Sequence, residues 1–587
     1  MNDKLEKILE FHKGDDEQQE VIKSDKIRLI IEAPAGYGKT KTMISQIAYL
    51  ITSGKLPNPK KILALTFSVN AAYKIRKDMA SSAFEGFSPY YFKNKVFASN
   101  YHGFCRRVLS IYGYIIDNKL NDVKELISID DSDIKSLQSS IHRLNYETAK
   151  FLSDFNEAVK TINEEFIKHN FNKYNFIVKN YLLNLNYITF NSILTFTIEL
   201  FLKLKELRSF YQKLYPIIIV DEFQDTNVLS WYLLNILVSD ETKLYLYGDS
   251  LQRIYGFIGA IPNLLNKAQK KFKADQIELK TNYRFKNNKE MLLLDRNIRG
   301  IAKDTTFVPT EDAKLTFYLA NDQSKEAEIV CNLCNDLLNQ NIEKRIAILV
   351  RQRSRNVNQI IEIFKEKQIE FFYALFSDED KDYIEFHKIA LRSFSSILKD
   401  KRMSKNLLNN LIEGINKSEK YKKFDDEMKK ALIELLQTYW SKVVFGEFNF
   451  LERNEKIELV RDALENNSLK QYLGYTDHRV VITTVHGAKG LEWDYVILPD
   501  MERYSFPNSR DLCNFCNYKK SCQVDWRNIP SDKFYNELSV FYVAVTRAKI
   551  KNIFTASKKR ICSNGLEREA NVSCFLNLPG IKLIRYI

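Results

Sequence analysis

The run Ala33-Pro34-Ala35-Gly36-Tyr37-Gly38-Lys39-Thr40 constrains this chain more than any other stretch. A glycine-containing turn ending in Gly-Lys-Thr presents backbone N–H groups to nucleotide phosphates, provided a strand leads in and a helix leads out. Ile27 to Ile31 has the short, apolar, β-branched character of a buried parallel strand, and Thr42 to Ala48 reads as a helix. The motif therefore sits at a helix N-terminus, where anions are favoured. Lys39 would reach the β and γ phosphates and the Thr40 hydroxyl would ligate Mg2+. Ala33 stands where the pattern begins with glycine, so a chance Gly-rich turn is the competing reading of this stretch alone.

A second apolar run, Ile217 to Val220, delivers Asp221 and Glu222 side by side at its C-terminal end. Asp221 is placed to hold Mg2+ and Glu222 to accept a proton from water attacking the γ-phosphate. An acidic turn after a strand is the bland alternative. Two such runs together make nucleoside triphosphate hydrolysis the working frame.

At 587 residues the chain has room for roughly three or four domains of about 150 residues. Lysine and arginine number 88 against 74 acids, a net charge of +14, which favours a polyanionic partner, nucleic acid or anionic membrane. A solvated basic surface accounts for the same excess. The N-terminus is charged, without the apolar core of a secretory signal, and the richest apolar stretch, Tyr187 to Leu204, is broken by polar residues. A cytoplasmic location is expected. Eight cysteines without a signal point to reduced thiols or a metal site, not a disulfide framework.

Further motifs follow in order from about Gln18 to Arg547, nearly the whole length, and with them the chain resembles the UvrD/Rep-like superfamily 1 DNA helicases. Gln18-Gln19-Glu20 is similar to the adenine-reading Q motif, with Gln18 the reader. Leu65 to Ala72, with Phe67 and Asn70, resembles motif Ia; Tyr101-His102-Gly103-Phe104 resembles the next DNA-contacting motif. Tyr247 to Ala260, containing Gln252, Tyr255 and Phe257, is similar to motif III, and Thr281 to Arg284 to motif IV. Val485 to Trp493, with His486 and Glu492, resembles motif V, and Tyr542 to Ala548, with Arg547, motif VI.

The resemblance implies an α/β fold of two RecA-like P-loop NTPase lobes, each with a mainly helical insertion. It implies that Ala35, Gly36, Gly38, Lys39, Thr40 and Lys41 bind ATP, with Tyr283 stacked on adenine and Glu492 on the ribose. Gln252 would sense the γ-phosphate or orient the water. Arg284 and Arg547, from the other lobe, would neutralise γ-phosphoryl charge as an arginine finger does. Single-stranded DNA would meet Phe67, Asn70, His102, Tyr255, Phe257 and His486, the aromatics stacking on bases. Phe67 follows a strand-like run and is equally a core candidate. Each of these residues taken alone is readable as an ordinary core or surface residue.

These motifs set expected boundaries. The first lobe comprises 1–110 and 191–280, with an insertion at 111–190 whose Ile141, Leu144, Phe151 and Phe155 spacing suits helices. The second comprises 281–377 and 474–587, its central sheet beginning at Arg345 to Val350, with a helical insertion at 378–473 that looks reduced for the family. A reduced insertion puts unaided strand separation in doubt. Ile258 stands where the family usually carries arginine, and Leu538 and Ser539 replace arginines beside Glu537.

Cys513, Cys516 and Cys522 form a C-x2-C-x5-C array between motifs V and VI. Three thiolates so spaced suit zinc or an iron–sulfur cluster, with Cys562 or Cys574 as the fourth ligand, and free cysteines in a loop as the alternative. The spacing alone resembles that of AddB-type iron–sulfur nucleases. Cys331 and Cys334 read as buried helix residues.

The expected activity is ATP-driven 3′ to 5′ movement on single-stranded or tailed duplex DNA, with ATP and Mg2+, in repair or phage defence. The competing reading is a regulatory ATPase subunit gating a separate nuclease. Small UvrD-like proteins occur in that arrangement in phage-defence systems, Gabija being one. An RNA motor has little support, because the residues of motifs III and V are similar to those of DNA enzymes.

Overall fold

Short runs of β-branched residues bounded by turns become parallel strands here, each followed by a helix that covers one sheet face. The computed structural model describes residues 2–586 except 68, 81–91, 93, 124, 133, 142–143, 257–258, 341–342, 378–379, 399–401, 509–511, 519–521, 527 and 562–564. Its contacts divide the chain into two units, Met1–Thr281 and Asn282–Ile587.

The first unit contains β1 (Arg28–Glu32), β2 (Ile62–Thr66), β3 (Val96–Asn100), β4 (Ile127–Ile129), β5 (Tyr187–Thr189), β6 (Ile217–Val220), β7 (Lys243–Gly248) and β8 (Asp275–Glu278). Six of them form one parallel sheet in the order β3-β2-β6-β7-β1-β8. Strand side chains alternate between two cores, as a period of two requires. Leu29, Ile31, Ile62, Ala64, Ile217, Ile219, Tyr245 and Tyr247 enter one, which the helices Asn2–Glu10, Asp16–Lys23 and Lys39–Thr52 cover. Ile30, Leu63, Leu65, Ile218, Val220, Leu244 and Leu246 enter the other, beneath Tyr101–Tyr112, Phe190–Lys203 and Val228–Leu237.

Between Tyr112 and Phe190 lie the helices Ile134–Ser140, Tyr146–Lys160 and Glu164–Ile177 and a small parallel pair, β4 with β5. Ile141, Leu144 and Phe155 are buried there and Phe151 is half-buried. The sequence pattern predicts the helices and misses the pair, because three-residue strands are too short to show a period. Their join is polar: the Tyr174 hydroxyl donates to Asp131 Oδ2 at 2.6 Å.

The second unit carries β9 (Ala313–Ala320), β10 (Ile346–Val350), β11 (Phe372–Ala374), β12 (Val480–Thr484), β13 (Trp493–Leu498), β14 (Ala548–Ser557), β15 (Lys559–Ile561), β16 (Glu567–Glu569) and β17 (Ile581–Tyr586). Seven form a parallel sheet in the order β11-β12-β10-β13-β14-β9-β17; β15 and β16 pair as an antiparallel hairpin. The expectation that this sheet begins at Arg345 is corrected: β9 precedes it in sequence and lies between β14 and β17. Exposed Lys314 interrupts the apolar run of β9, which hides it from a search for continuous hydrophobic strands.

The helices Lys381–Leu398, Lys405–Asn416, Asp426–Val444 and Arg453–Glu465 follow β11. Their apolar faces bury Phe386, Leu411, Tyr439, Trp440 and Leu459. Cys331 and Cys334 are fully buried in the helix Gln323–Gln340. Among the described residues no helix is long and apolar enough to cross a membrane.

Candidate functional site

In the first unit the carboxyl ends of β1, β6 and β7 lie side by side, so the loops leaving them converge. The loop after β1 contains Gly36 at φ +87° and Gly38 at φ +79°, left-handed values that glycine adopts without steric cost. Gly38 is the N-cap of the helix Lys39–Thr52, whose first turn has neither a capping side chain nor an acid. That end is suited to an anion. Ala35 is buried, Gly36, Gly38, Lys39 and Thr40 are half-buried, and Lys41 is exposed with its ammonium 5.5 Å from the centre of the Phe11 ring.

Lys39 is ion-paired with Glu222 and lies 3.5 Å from Asp221 Oδ1. Burial alone would lower its pKa, but Glu222 and Asp221 outweigh burial and raise it, so the ammonium stays charged. Burial pushes the Asp221 carboxyl up, while Lys39 pulls it back. Glu222 holds a left-handed backbone at φ +50°.

A hydrogen-bonded chain continues outward. Gln224 Nε2 donates to Glu222 Oε2 at 2.6 Å, the Asp249 N–H donates to Gln224 Oε1 at 3.1 Å, and Gln252 Nε2 donates to Asp249 Oδ2 at 2.8 Å. A Cβ on Gly248 would stand 2.9 Å from Gln224 Oε1, so only glycine leaves that amide in place. Gln224 and Asp249 thus join Glu222 to Gln252, and the sequence reading assigned neither of them a role. The signal available was their place beside Glu222 and three residues before Gln252.

Gln18 is buried next to the phosphate loop, its Nε2 donating to the Tyr37 carbonyl at 3.2 Å and its Oε1 hydrogen-bonded to His12 Nδ1. Burial lowers the His12 pKa, and a neutral imidazole lets Nε2 accept the Ser45 hydroxyl at 2.7 Å. Asp15 caps the helix carrying Gln18 by accepting its N–H at 2.9 Å. Both ends of the Gln18 amide are therefore engaged within the protein.

Phe67 follows β2, and its ring stacks on Tyr255 at a centroid distance of 5.0 Å and 23° between planes. Both rings are half-buried, so Phe67 is not a core residue. His102 follows β3, edge-on to Phe190 at 5.8 Å; burial and then neighbouring Arg106 hold its pKa down, to about 4, leaving it neutral. Asn70 lies in the helix Val69–Ala80, but its side chain, like Phe257 and Ile258, lies outside the described residues. Gly259, at φ +91°, comes so close to the helix Tyr146–Lys160 that a Cβ would stand 2.6 Å from the Val159 carbonyl.

The second unit gathers its own charged group at the amino ends of β13 and β14. Their register pairs Trp493 with Ala548, which sets Glu492 beside Arg547. Arg547 is buried and donates to the carbonyls of Val543 at 2.9 Å and Leu491 at 3.2 Å. Arg284 donates to the Thr546 carbonyl at 2.6 Å and pairs with Glu492, whose other oxygen lies 3.7 Å from Lys549. Burial would raise the Glu492 pKa, but Arg284, Lys549 and Arg547 bring it below the usual range.

Tyr283 is 42% exposed. Its neighbours are fixed by Asp295, a buried carboxylate that sequence reasoning overlooked: Asn282 Nδ2 donates to Asp295 Oδ2 at 3.4 Å and the Tyr542 hydroxyl to Oδ1 at 2.7 Å. Asp295 thereby connects the Arg284 segment to the helix leading to Arg547.

At the opposite edge, half-buried His486 follows β12 in a turn where the Gly487 N–H donates to Thr484 Oγ1 at 3.1 Å. Leu538 and Ser539 are buried in the helix Ser531–Val545. Glu537 beside them receives a guanidinium from elsewhere, Arg351 Nη2 at 2.7 Å. Beyond β13, Glu326, Asp500 and Glu502 form a buried group whose ligand atoms lie within 4.8 Å of one another. Burial raises all three carboxyl pKa values, Glu502 to about 7. Asn356 and Ser354 each donate to Asp500 at 2.8 Å. Glu326 arrives from a distant helix, so no local spacing announced this group.

The cysteine loop also follows β13. Cys513 and Cys522 are buried, Cys516 is half-buried, and Cys574 is buried at the start of the 3-10 turn Cys574–Asn577. Cys562 lies outside the described residues.

A family model for the UvrD/REP helicase N-terminal domain matches residues 15–273, and one for the UvrD-like helicase C-terminal domain matches residues 381–559. The ATP-dependent DNA helicase PcrA of Staphylococcus aureus is 24% identical over 629 residues, spanning 91% of this chain and 82% of that protein. A probable DNA helicase II homolog of Mycoplasma genitalium is 26% identical, over 96% of this chain and 86% of its own length. PcrA of Bacillus subtilis is 23% identical, over 92% and 82%.

Proposed function

Since the chain belongs to the UvrD/Rep-like superfamily 1 helicases and is an ATP-dependent DNA helicase, we propose that it moves 3′ to 5′ along single-stranded DNA, coupling each step to ATP hydrolysis. The observation that carries this reading is Lys39 held between Asp221 and Glu222, with Glu222 linked through Gln224 and Asp249 to Gln252.

In this reading ATP phosphates displace the carboxylates from Lys39, and the first-turn N–H groups of the helix Lys39–Thr52 receive the anion. Mg2+ fits the donor set of Thr40 and buried Asp221 and would offset phosphate charge when bound. Glu222, released from Lys39, takes the proton of the attacking water. Gln252 positions that water, and its bond to Asp249 connects the position to Glu222. Arg284 and Arg547 neutralise charge growing on the γ-phosphoryl group. Glu492 and Tyr283 hold ribose and adenine, and Gln18 reads the base by exchanging one of its internal hydrogen bonds for the purine edge.

Phe67 and Tyr255 part to accept a base between or upon them, with Asn70, His102, Phe257 and His486 along the same strand. His102, neutral near physiological pH, serves there as a hydrogen-bonding group and not as a charge. Residues 1–110 with 191–280, and 281–377 with 474–587, act as the two motor lobes, 111–190 and 378–473 as their insertions. The same reading places the protein in the cytoplasm, with DNA as its substrate.

Steady-state ATP hydrolysis with and without single-stranded DNA, beside unwinding of duplexes with 3′ or 5′ tails, tests this. Stimulation with 3′-tail unwinding supports an autonomous motor suited to repair. Stimulation without strand separation moves the reading to an ATPase subunit controlling a partner nuclease, as in phage defence. Hydrolysis unaffected by DNA refutes both.

A further inference from the structure

The helicase chemistry leaves the four cysteines near β13 without a task. We propose that Cys513, Cys516, Cys522 and Cys574 form a tetrathiolate centre for one thiophilic metal group, zinc or an iron–sulfur cluster, fastening the loop after β13 to the turn that precedes β17.

Three of the ligands come from one short array. The Cys516 N–H donates to the Cys513 carbonyl at 3.4 Å, closing a tight turn across the C-x2-C pair. Asp525 holds that turn, accepting the Asn517 N–H at 3.0 Å. The fourth ligand comes from beyond the helix Ser531–Val545 and β14. Cys574 opens the turn Cys574–Asn577, whose Asn577 side chain bonds the Cys522 backbone, so the fold sets it beside the array. The sequence offers Cys562 and Cys574 as fourth ligand; of the two, Cys574 is among the described residues and lies beside Cys522.

The two segments are already aligned by backbone. The Ser573 N–H donates to the Met501 carbonyl at 2.9 Å, Glu502 bridges Val572, and Asn577 Nδ2 donates to the Cys522 carbonyl at 3.1 Å. All four thiols are free. The Cys513 and Cys516 thiols donate weakly to the carbonyls of Pro507 and Gln523, each at 3.6 Å, contacts that metal binding would replace. Buried Arg503 lies in electrostatic range of Cys513 and Cys522, supplying positive charge beside a site that becomes anionic once thiolates bind metal. Four soft sulfur donors and no carboxylate among them select zinc or iron–sulfur over magnesium or calcium.

Elemental analysis of the full chain, purified anaerobically without added metal, is the test. About one zinc per colourless chain, or roughly four iron with matching sulfide and a broad visible absorption, is the expected result, and the two patterns tell the metals apart. Less than roughly 0.2 equivalents of both overturns the centre. Cys574→Ser should lose the metal and Cys562→Ser should keep it; the reverse pattern overturns the ligand set. Should Cys574→Ser fail to fold, the wild-type chain is titrated with an organomercurial and the modified thiols are mapped. Metal leaving in step with these four cysteines supports the proposal, and metal retained after all four are modified refutes it.

Discussion

The two units place their charged clusters at opposite ends of similar sheets. In the first, Lys39, Asp221, Glu222 and Asp249 leave the carboxyl ends of β1, β6 and β7. In the second, Glu492 and Arg547 stand at the amino ends of β13 and β14, and the carboxyl edge carries His486, the buried carboxylates and the cysteine loop. The clusters also differ in what restrains the cation. Lys39 is held by two carboxylates, whereas Arg547 donates to two backbone carbonyls and the Thr546 hydroxyl. In the proposed reading the first cluster exchanges partners on binding and the second keeps the Arg547 guanidinium in one orientation. That is the division expected between a phosphate cradle and a charge delivered to a transition state.

The sharpest way to break this comparison is to remove Lys39. Lys39→Ala should abolish turnover, a loss of at least about 10^3-fold, and weaken nucleotide binding as well, measured by steady-state hydrolysis and fluorescent-nucleotide titration. Arg547→Ala should cost about 10^3-fold in kcat with nucleotide affinity nearly intact; an equal loss of affinity would mean both clusters serve binding. Glu222→Gln should lower kcat about 10^2- to 10^3-fold while ATP still binds, since only proton acceptance is lost; most of the turnover surviving would remove Glu222 from its role. Phe67→Ala should weaken single-stranded DNA affinity about tenfold at fixed salt and leave DNA-free hydrolysis unchanged.

The smallest effect is the pH response of the carboxyl edge in the second unit. Burial, then the neighbouring Asp500 charge, raises Glu502 from 4.5 to about 7, so between those values the folded state binds more protons than the unfolded one. This contribution to stability is greatest at low pH and falls as pH rises through that window. Glu502→Gln should flatten the change in Tm between pH 5 and pH 8; an unchanged slope would place the titration elsewhere.

Much of the first cluster is written contiguously. A run of eight residues supplies the phosphate loop, and Asp221 and Glu222 directly follow four apolar strand residues, so local spacing is enough to read them. Arg284, Glu492 and Arg547 are scattered, and a single arginine has no local signature; only the ordered motif series marked them. Asp295, Gln224 and Asp249 escaped notice because their work is to connect, through hydrogen bonds to partners distant in sequence or on neighbouring strands. β9 escaped because a charged residue interrupts its pattern, and β4 and β5 because each is too short to have one.

The sequence by itself determined the chemistry available to this protein: a glycine-containing turn ending in Gly-Lys-Thr, a carboxylate pair after a buried strand, an ordered set of helicase motifs and three closely spaced thiols. Tertiary structure decided which of these act together. It set Glu492 beside Arg547 through the register of β13 and β14, joined Glu222 to Gln252 through two intermediaries, and set the turn carrying Cys574 against Cys522. The physical reason is range: backbone periodicity and turn preference act over a few residues, whereas parallel strand pairing brings residues distant in sequence to adjacent positions.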